Sequence, residues 1–381
     1  IARLNYNASM VEILSQLGTT KEAAGIVSSF FFFAYGAGQL VNGLLSKKYN
    51  TKYSVTIALM ASCIINFLMT CCQGIEMMKY LWLLNGVFQS ILWSSLIKTL
   101  SDNLADNKLS RAVMVMSTTV AAGTFAAYGL AALFSHLEMK WTSIFYVSSV
   151  VVCVVAVIWF AGMSSIQKTK KEATQEINKE KKKLTLTPVL VLSIAVILIS
   201  AVTNGFIKDG VTTWVPSILK EEFGVPSSLS IIVTLLLPVV SIFGASLVKV
   251  LHKKQKNENV LNGIFYFGAV VLAGLIILTI NLKSVVLTLA LFGGIACLMS
   301  AVNNVITSVV PLYSRDKIDS GLSAGLLNTF CYVGSTLATS LLGKIADTKG
   351  WNDVFICILI FTVVSFVACV ISAFATRKKK I

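Results

Sequence analysis

The sequence predicts an all-α polytopic membrane protein, with twelve transmembrane helices in two pseudo-symmetric six-helix bundles. Three observations predict it. Of 381 residues, 56% are hydrophobic and only 13% charged, about half the roughly 25% charge of a soluble globular chain. Apolar runs recur along the whole length, and about 20 such residues cross roughly 30 Å of hydrocarbon as a helix. The runs are continuous rather than alternating, which excludes a β-barrel. The composition also excludes a disordered chain, a collagen-like chain, a coiled coil and an ordinary cytosolic enzyme.

In chain order the runs cover residues 1–17, 22–45, 53–73, 79–104, 110–134, 142–165, 189–219, 226–251, 260–280, 284–311, 320–345 and 352–376. The first is short and polar, with Arg3, Asn5, Tyr6 and Asn7. The chain begins at Ile1 rather than Met, so part of helix 1 is expected upstream, and no cleavable signal pattern is visible. Residues 166–188 form the one long polar stretch, with seven Lys against Glu172, Glu176 and Glu180. It reads as a solvated linker on the membrane surface. The predicted units are an N-terminal bundle (1–165), a cytoplasmic linker (166–188), a C-terminal bundle (189–376) and a basic tail (377–381).

Charge alternates between loops. Lys47, Lys48, Lys52, Lys108, Arg111, the linker lysines, Lys253, Lys254, Lys256, Arg315, Lys317 and the tail make one set of 21 cations; the other set holds seven. The positive-inside rule puts the first set, and both termini, in the cytoplasm of a plasma or inner cell membrane. An even number of spans satisfies that. The net charge of +15 then reads as loop charge facing anionic headgroups rather than as a nucleic-acid surface. The expected partners are the lipid bilayer and a small anion, with no nucleic acid, for a monomeric chain.

Eight cysteines lie scattered through apolar runs, without CxxC or Cys/His spacing, and His136 and His252 fall near loop edges. No metal or cofactor is expected from them. No glycine loop followed by Lys-Ser/Thr is present, which argues against ATP-driven transport. No nucleophile–base arrangement supports an enzyme.

The halves echo each other. At an offset of 210, Asp106 meets Asp316, Ser110 meets Ser320, and Trp141-x-x-Ile-Phe meets Trp351-x-x-Val-Phe. At an offset of 205, Arg3 meets Lys208 and Ile13-Leu14 meets Ile218-Leu219, with Gly18 and Gly224 following. Parallel six-helix repeats are a transporter architecture, with the substrate site at the midplane between halves.

A charge at the bilayer centre costs at least about 2.5–3.5 kcal/mol, so Arg3, Lys98, Lys208 and Asp209 need a cavity or a partner. Lys98 reads as snorkelling from the end of helix 4. Arg3 and Lys208 occupy equivalent sites, so a two-fold axis would set them on opposite walls of one cavity. Facing cations make sense around an anion; the alternative is local neutralisation by Asp209. Polar residues also fall at one-face spacing: Arg3, Tyr6 and Asn7; Tyr35, Gln39 and Asn42; Gln89 and Trp93; Asn328 and Tyr332; Lys208 and Thr212. Each stripe is either helix–helix glue or part of a shared polar cavity.

On these features the chain resembles the major facilitator superfamily, and within it the organophosphate:phosphate antiporter family. The motifs are Arg3-Leu-Asn-Tyr, Ala34-Tyr-Gly-Ala-Gly-Gln39, Asn85-Gly-Val-Phe-Gln-Ser-Ile-Leu-Trp93 and Lys208-Asp-Gly-Val-Thr-Thr-Trp-Val-Pro-Ser-Ile-Leu-Lys220. Gly321-Leu-Ser-Ala-Gly-x5-Cys-Tyr-Val-Gly334 and Ala346-Asp-x-x-Gly-Trp351 continue the likeness. The resemblance implies exchange of phosphorylated organic anions for inorganic phosphate. It implies that Arg3 and Lys208, the latter in place of an arginine, hold the anion. Tyr35, Trp93 and Tyr332 match aromatic cavity positions. Gln39 stands where the family has a lysine, and Thr118 where it has a histidine. A nearly dianionic phosphate would meet a weaker field, so a monoanionic or carboxylate substrate is a further option. The expected function is a secondary transporter of a small organic anion, working by exchange through alternating access. The alternatives are proton-coupled symport using Asp209, and a membrane sensor of a phosphate ester.

Overall fold

A computed structural model describes residues 1–45, 50–104, 106–165, 187–311 and 320–377. Among the described residues the chain consists of helices and their connecting turns. The first half runs α1 (Asn5–Ala8), α2 (Met10–Leu17), α3 (Lys21–Leu45), α4 (Thr51–Met69), α5 (Ile75–Asn103), α6 (Asp106–His136) and α7 (Ser143–Ser165). The second runs α8 (Pro188–Phe223), α9 (Ser227–Val233), α10 (Leu236–Ser241), α11 (Phe243–Lys254), α12 (Glu258–Thr279), α13 (Val285–Asn304), α14 (Ser320–Thr348) and α15 (Trp351–Arg377). Among the described residues, nine helical stretches are long and apolar enough to cross a membrane. The expected linker lies outside the described residues, except that the Thr187 hydroxyl accepts from the Leu190 amide and caps α8. Lys47, Lys48, Arg315, Lys317 and the tail beyond Arg377 also lie outside the described residues.

Two of the predicted single runs are interrupted. Residues 1–17 divide at Ser9, whose amide is shared between the Asn5 and Tyr6 carbonyls at 2.9 and 3.2 Å, a tightened turn of the 3₁₀ kind. Residues 226–251 divide into α9, α10 and α11. Pro238 has no amide proton for the carbonyl of Thr234, and Leu237 donates to that carbonyl instead, at 3.0 Å. The helix restarts one residue out of step.

The repeat is visible in three dimensions. Gly18 closes α2 at φ 58° and Gly224 closes α8 at φ 66°, both left-handed caps that suit glycine. Beyond each cap the matched tryptophans tie back to equivalent residues. The Trp141 amide donates to Gln16 Oε1 at 3.0 Å, and the Trp351 indole donates to Glu221 Oε2 at 2.9 Å. Gln16 and Glu221 are themselves 205 residues apart.

Each half has its own aromatic core. Trp82 holds Tyr6, Phe31 and Phe145 within 5.9 Å between ring centroids. In the second half Phe206 stacks flat on Phe361 at 3.9 Å. The halves meet chiefly where α3 lies along α14. Gly25 makes that approach possible, since a Cβ there would sit 2.1 Å from the Thr339 carbonyl oxygen.

Candidate functional site

A polar seam runs between the halves, and Arg3 is its centre. Its Nη2 donates to the hydroxyl of Tyr332, on α14 of the other half, at 2.8 Å. Its guanidinium lies 4.3 Å from the ring centroid of Tyr35 and 5.6 Å from that of Tyr332. The two tyrosine rings meet edge-on at 4.9 Å. A cation on an aromatic face gains about 0.5–2 kcal/mol, which offsets part of the cost of the charge. Arg3 Nε is buried without a hydrogen-bond partner among the described residues.

Lys208 and Asp209 sit mid-way along α8 and differ in environment. Lys208 is exposed, whereas Asp209 is partly buried and its Oδ2 accepts from the Ser335 hydroxyl at 2.5 Å. Ser335 lies three residues beyond Tyr332, hence one helical turn along α14. The Arg3–Tyr332 and Asp209–Ser335 contacts are therefore neighbours on α14. α8 is also tied to the first half beside this position: the Tyr128 hydroxyl of α6 donates to the Thr212 carbonyl at 3.5 Å.

The other predicted residues divide. Asn7 joins the seam, donating to Thr213 Oγ1 at 3.1 Å while accepting from Ser28 at 2.6 Å. Gln39 accepts from Asn328 across the halves. Tyr6 is not brought to the seam. It is fully buried, with its hydroxyl on the Ala24 carbonyl at 3.0 Å and its ring beside Trp82, so its stripe with Arg3 reflects core packing at that position. Trp93 remains 39% exposed on α5. The side chain of Thr118 lies outside the described residues. In the remaining stripes, Asn42 bonds Ser90 and Gln89 bonds Ser62, both within the first half.

Several seam residues escaped the sequence reading: Tyr128, Thr213, Ser335, Ser29 and Thr339. Ser29 Oγ lies 2.7 Å from Thr339 Oγ1 across α3 and α14. For Ser335 a signal existed, because Asn328, Tyr332 and Ser335 recur at four- and three-residue spacing on one helix face. Tyr128 carried none.

Beyond the seam, one end of the interface is closed by charge. Lys21 of α3 pairs with Glu221 of α8 at 3.0 Å and with Asp347 of α14 at 3.5 Å, and Lys344 pairs with Glu22 at 3.4 Å. A cavity of about 270 Å³ sits there, lined in part by Ser217, Lys220 and Glu221. It is distinct from the Arg3 contacts, and its two carboxylates, Glu221 and Asp347, balance Lys21 and Lys220.

The comparisons with known proteins agree with this architecture. The glycerol-3-phosphate transporter of Bacillus subtilis (strain 168) is 21% identical over 391 residues, covering 94% of this chain and 85% of its own. A probable hexose phosphate transport protein of Chlamydia pneumoniae is 23% identical, covering 94% and 84%. The membrane sensor protein UhpC of Escherichia coli (strain K12) is 32% identical over 93 residues, 24% of this chain and 21% of its own. In fold, a bacterial homologue of the human lysosomal transporter Spinster, inward-facing and occupied, superposes with a TM-score of 0.76 at 12% identity, covering 98% and 95%. The nucleoside transporter NupG gives 0.74 at 12% identity, covering 97% and 96%. The family model for the Major Facilitator Superfamily matches residues 1–318. A helical membrane chain with this repeat and this match belongs to the major facilitator superfamily.

Proposed function

We propose that the chain is a secondary active transporter that exchanges a small organic anion, an organophosphate or a carboxylate, by alternating access. Both termini face the cytoplasm in this reading. The Arg3–Tyr332 contact carries it. A guanidinium of one half is held by a neutral hydroxyl of the other, with Nε unsatisfied. An incoming anion offers a stronger acceptor than a phenol, because charge-assisted hydrogen bonds are roughly twice as strong as neutral ones. Lys208, exposed mid-way along α8, supplies the second cation in this reading.

The exchange follows from electrostatics. With the site empty, two like charges oppose approach of the halves; a bound anion removes that opposition and favours closure. Movement without an anion is thereby disfavoured. The names of the Bacillus subtilis and Chlamydia pneumoniae relatives support an organophosphate as one candidate cargo.

Counterflow in proteoliposomes tests the proposal, with phosphate, phosphate esters and small carboxylates offered in turn. Arg3→Gln and Lys208→Gln should each abolish counterflow, and wild-type rates in both would defeat the reading. Uptake driven by a proton gradient without internal exchange substrate would point to symport through Asp209. Binding without flux would point to a sensor.

A further inference from the structure

We propose that Asp209 sets the charge that this site accepts, making it selective for a monoanion over a dianion of the same shape. The inference rests on the anion-exchange reading above and sharpens its substrate class. Arg3 is tied to Tyr332 at 2.8 Å and Asp209 to Ser335 at 2.5 Å, and the two hydroxyls lie one turn apart on α14. Lys208 is the residue preceding Asp209. Arg3 and Asp209 thus meet one stretch of α14, and Lys208 adjoins Asp209 along α8.

Two further seam side chains described above contribute no charge. Asn7 bonds Thr213, and Gln39 bonds Asn328. Arg3, Lys208 and Asp209 together carry one net positive charge. Asp209 forms no ion pair within 4.0 Å in the described structure; it takes a neutral hydroxyl instead. Its carboxylate is therefore held at α14 rather than paired with Lys208, one turn from the hydroxyl that holds Arg3.

A monoanion brings the assembly to neutrality. A dianion leaves a net negative charge in a low-dielectric setting, where each uncompensated unit is costly. A carboxylate or a sulfate ester therefore fits better than a fully ionised phosphate ester. Ser335 is a positioning residue: it holds the carboxylate toward α14.

Methyl sulfate and methyl phosphate test this, being nearly isosteric. At pH 8 the sulfate ester carries one charge and the phosphate ester close to two, because the second phosphate pKa is about 6. Each is titrated into the purified full chain in nanodiscs, with thermal stabilisation as the readout. The wild type should respond to methyl sulfate at about tenfold lower concentration. Asp209→Asn should erase or invert that ratio, and Asp209→Glu should keep it. Ser335→Ala should keep the preference with a weaker response to both esters. A wild-type preference for methyl phosphate, or an unchanged ratio in Asp209→Asn, overturns the proposal while leaving anion binding intact. If Asp209→Asn does not fold, the wild-type ratio alone decides. Should neither ester stabilise the wild type, and Arg3→Gln behave identically, the anion reading itself falls and this inference with it.

Discussion

The hydroxyl of Tyr128 on α6 reaches the main-chain carbonyl of Thr212 on α8, and Pro216 is the reason that carbonyl is available. A proline in a helix interior has no amide proton for the residue four positions earlier. Four positions before Pro216 is Thr212. A side chain of the first half thus satisfies a backbone group that the second half's own helix leaves open, one residue from the Asn7–Thr213 bond.

Removing that hydroxyl should strand the carbonyl. Tyr128→Phe is expected to cost about 1–3 kcal/mol, the range for a buried group left unpaired. Pro216→Ala returns the helical donor, so the double variant should lose less than Tyr128→Phe alone. Denaturation of the four proteins in one double-mutant cycle measures the coupling; strict additivity would show that the contact contributes nothing.

Tyr332→Phe keeps the ring against Tyr35 and deletes the acceptor for Arg3. The empty site loses a hydrogen bond that a bound anion would have to displace. Anion affinity should rise several-fold, within the roughly tenfold that about 1.4 kcal/mol represents. Weaker binding in this variant would mean that Tyr332 helps hold the anion instead.

Gln39→Lys places a third cation beside the seam. Preference should move toward dianions, by about tenfold at an effective dielectric near 20. Competition between methyl sulfate and methyl phosphate reads it out directly.

The ion pairs at the closed end make a separate prediction. Lys21→Gln breaks contacts to Glu221 and Asp347 at once. Partly exposed pairs contribute about 0–1 kcal/mol each, so opening at this end should increase about three- to tenfold. Ser217 lines the cavity there and is buried. Labelling of a Ser217→Cys reporter by a membrane-impermeant maleimide should accelerate by that factor in the Lys21→Gln background.

Gly25→Ala should be far more damaging than its size suggests. The added Cβ would lie 2.1 Å from the Thr339 carbonyl oxygen, a backbone atom with little room to yield. Overpacking of this kind costs about 1–3 kcal/mol or more. Gly274 on α12 has nothing within 4 Å of a built Cβ, so Gly274→Ala is the matched control. Thermal stability of the two variants should separate by several degrees.

Much of this molecule is written in its composition and periodicity. The bilayer leaves a chain few options, since every backbone group must be satisfied within the segment. Long apolar runs therefore fix helices with little help from tertiary contacts. The two halves likewise carry residues that can be matched by eye, and the Trp141 amide to Gln16 and Trp351 indole to Glu221 contacts join such matched positions. Local chemistry outranks hydropathy at particular points, as at Ser9 and Pro238, where single apolar runs divide into shorter helices.

The seam is different in kind. Tyr6 and Asn7 are neighbours in sequence and equally polar in outline, yet one is core and the other bridges the halves. Helical spacing gives a residue's angle about its axis, but not which helix stands opposite. Whether Asp209 meets Lys208 or Ser335, and whether Arg3 meets an anion or Tyr332, depends on how α14 lies against α3 and α8. That arrangement arises from close approach at glycines and long-range packing. The chain alone thus determined the helical character of its apolar runs and the cations; their partners were decided only when two halves, distant in sequence, came together.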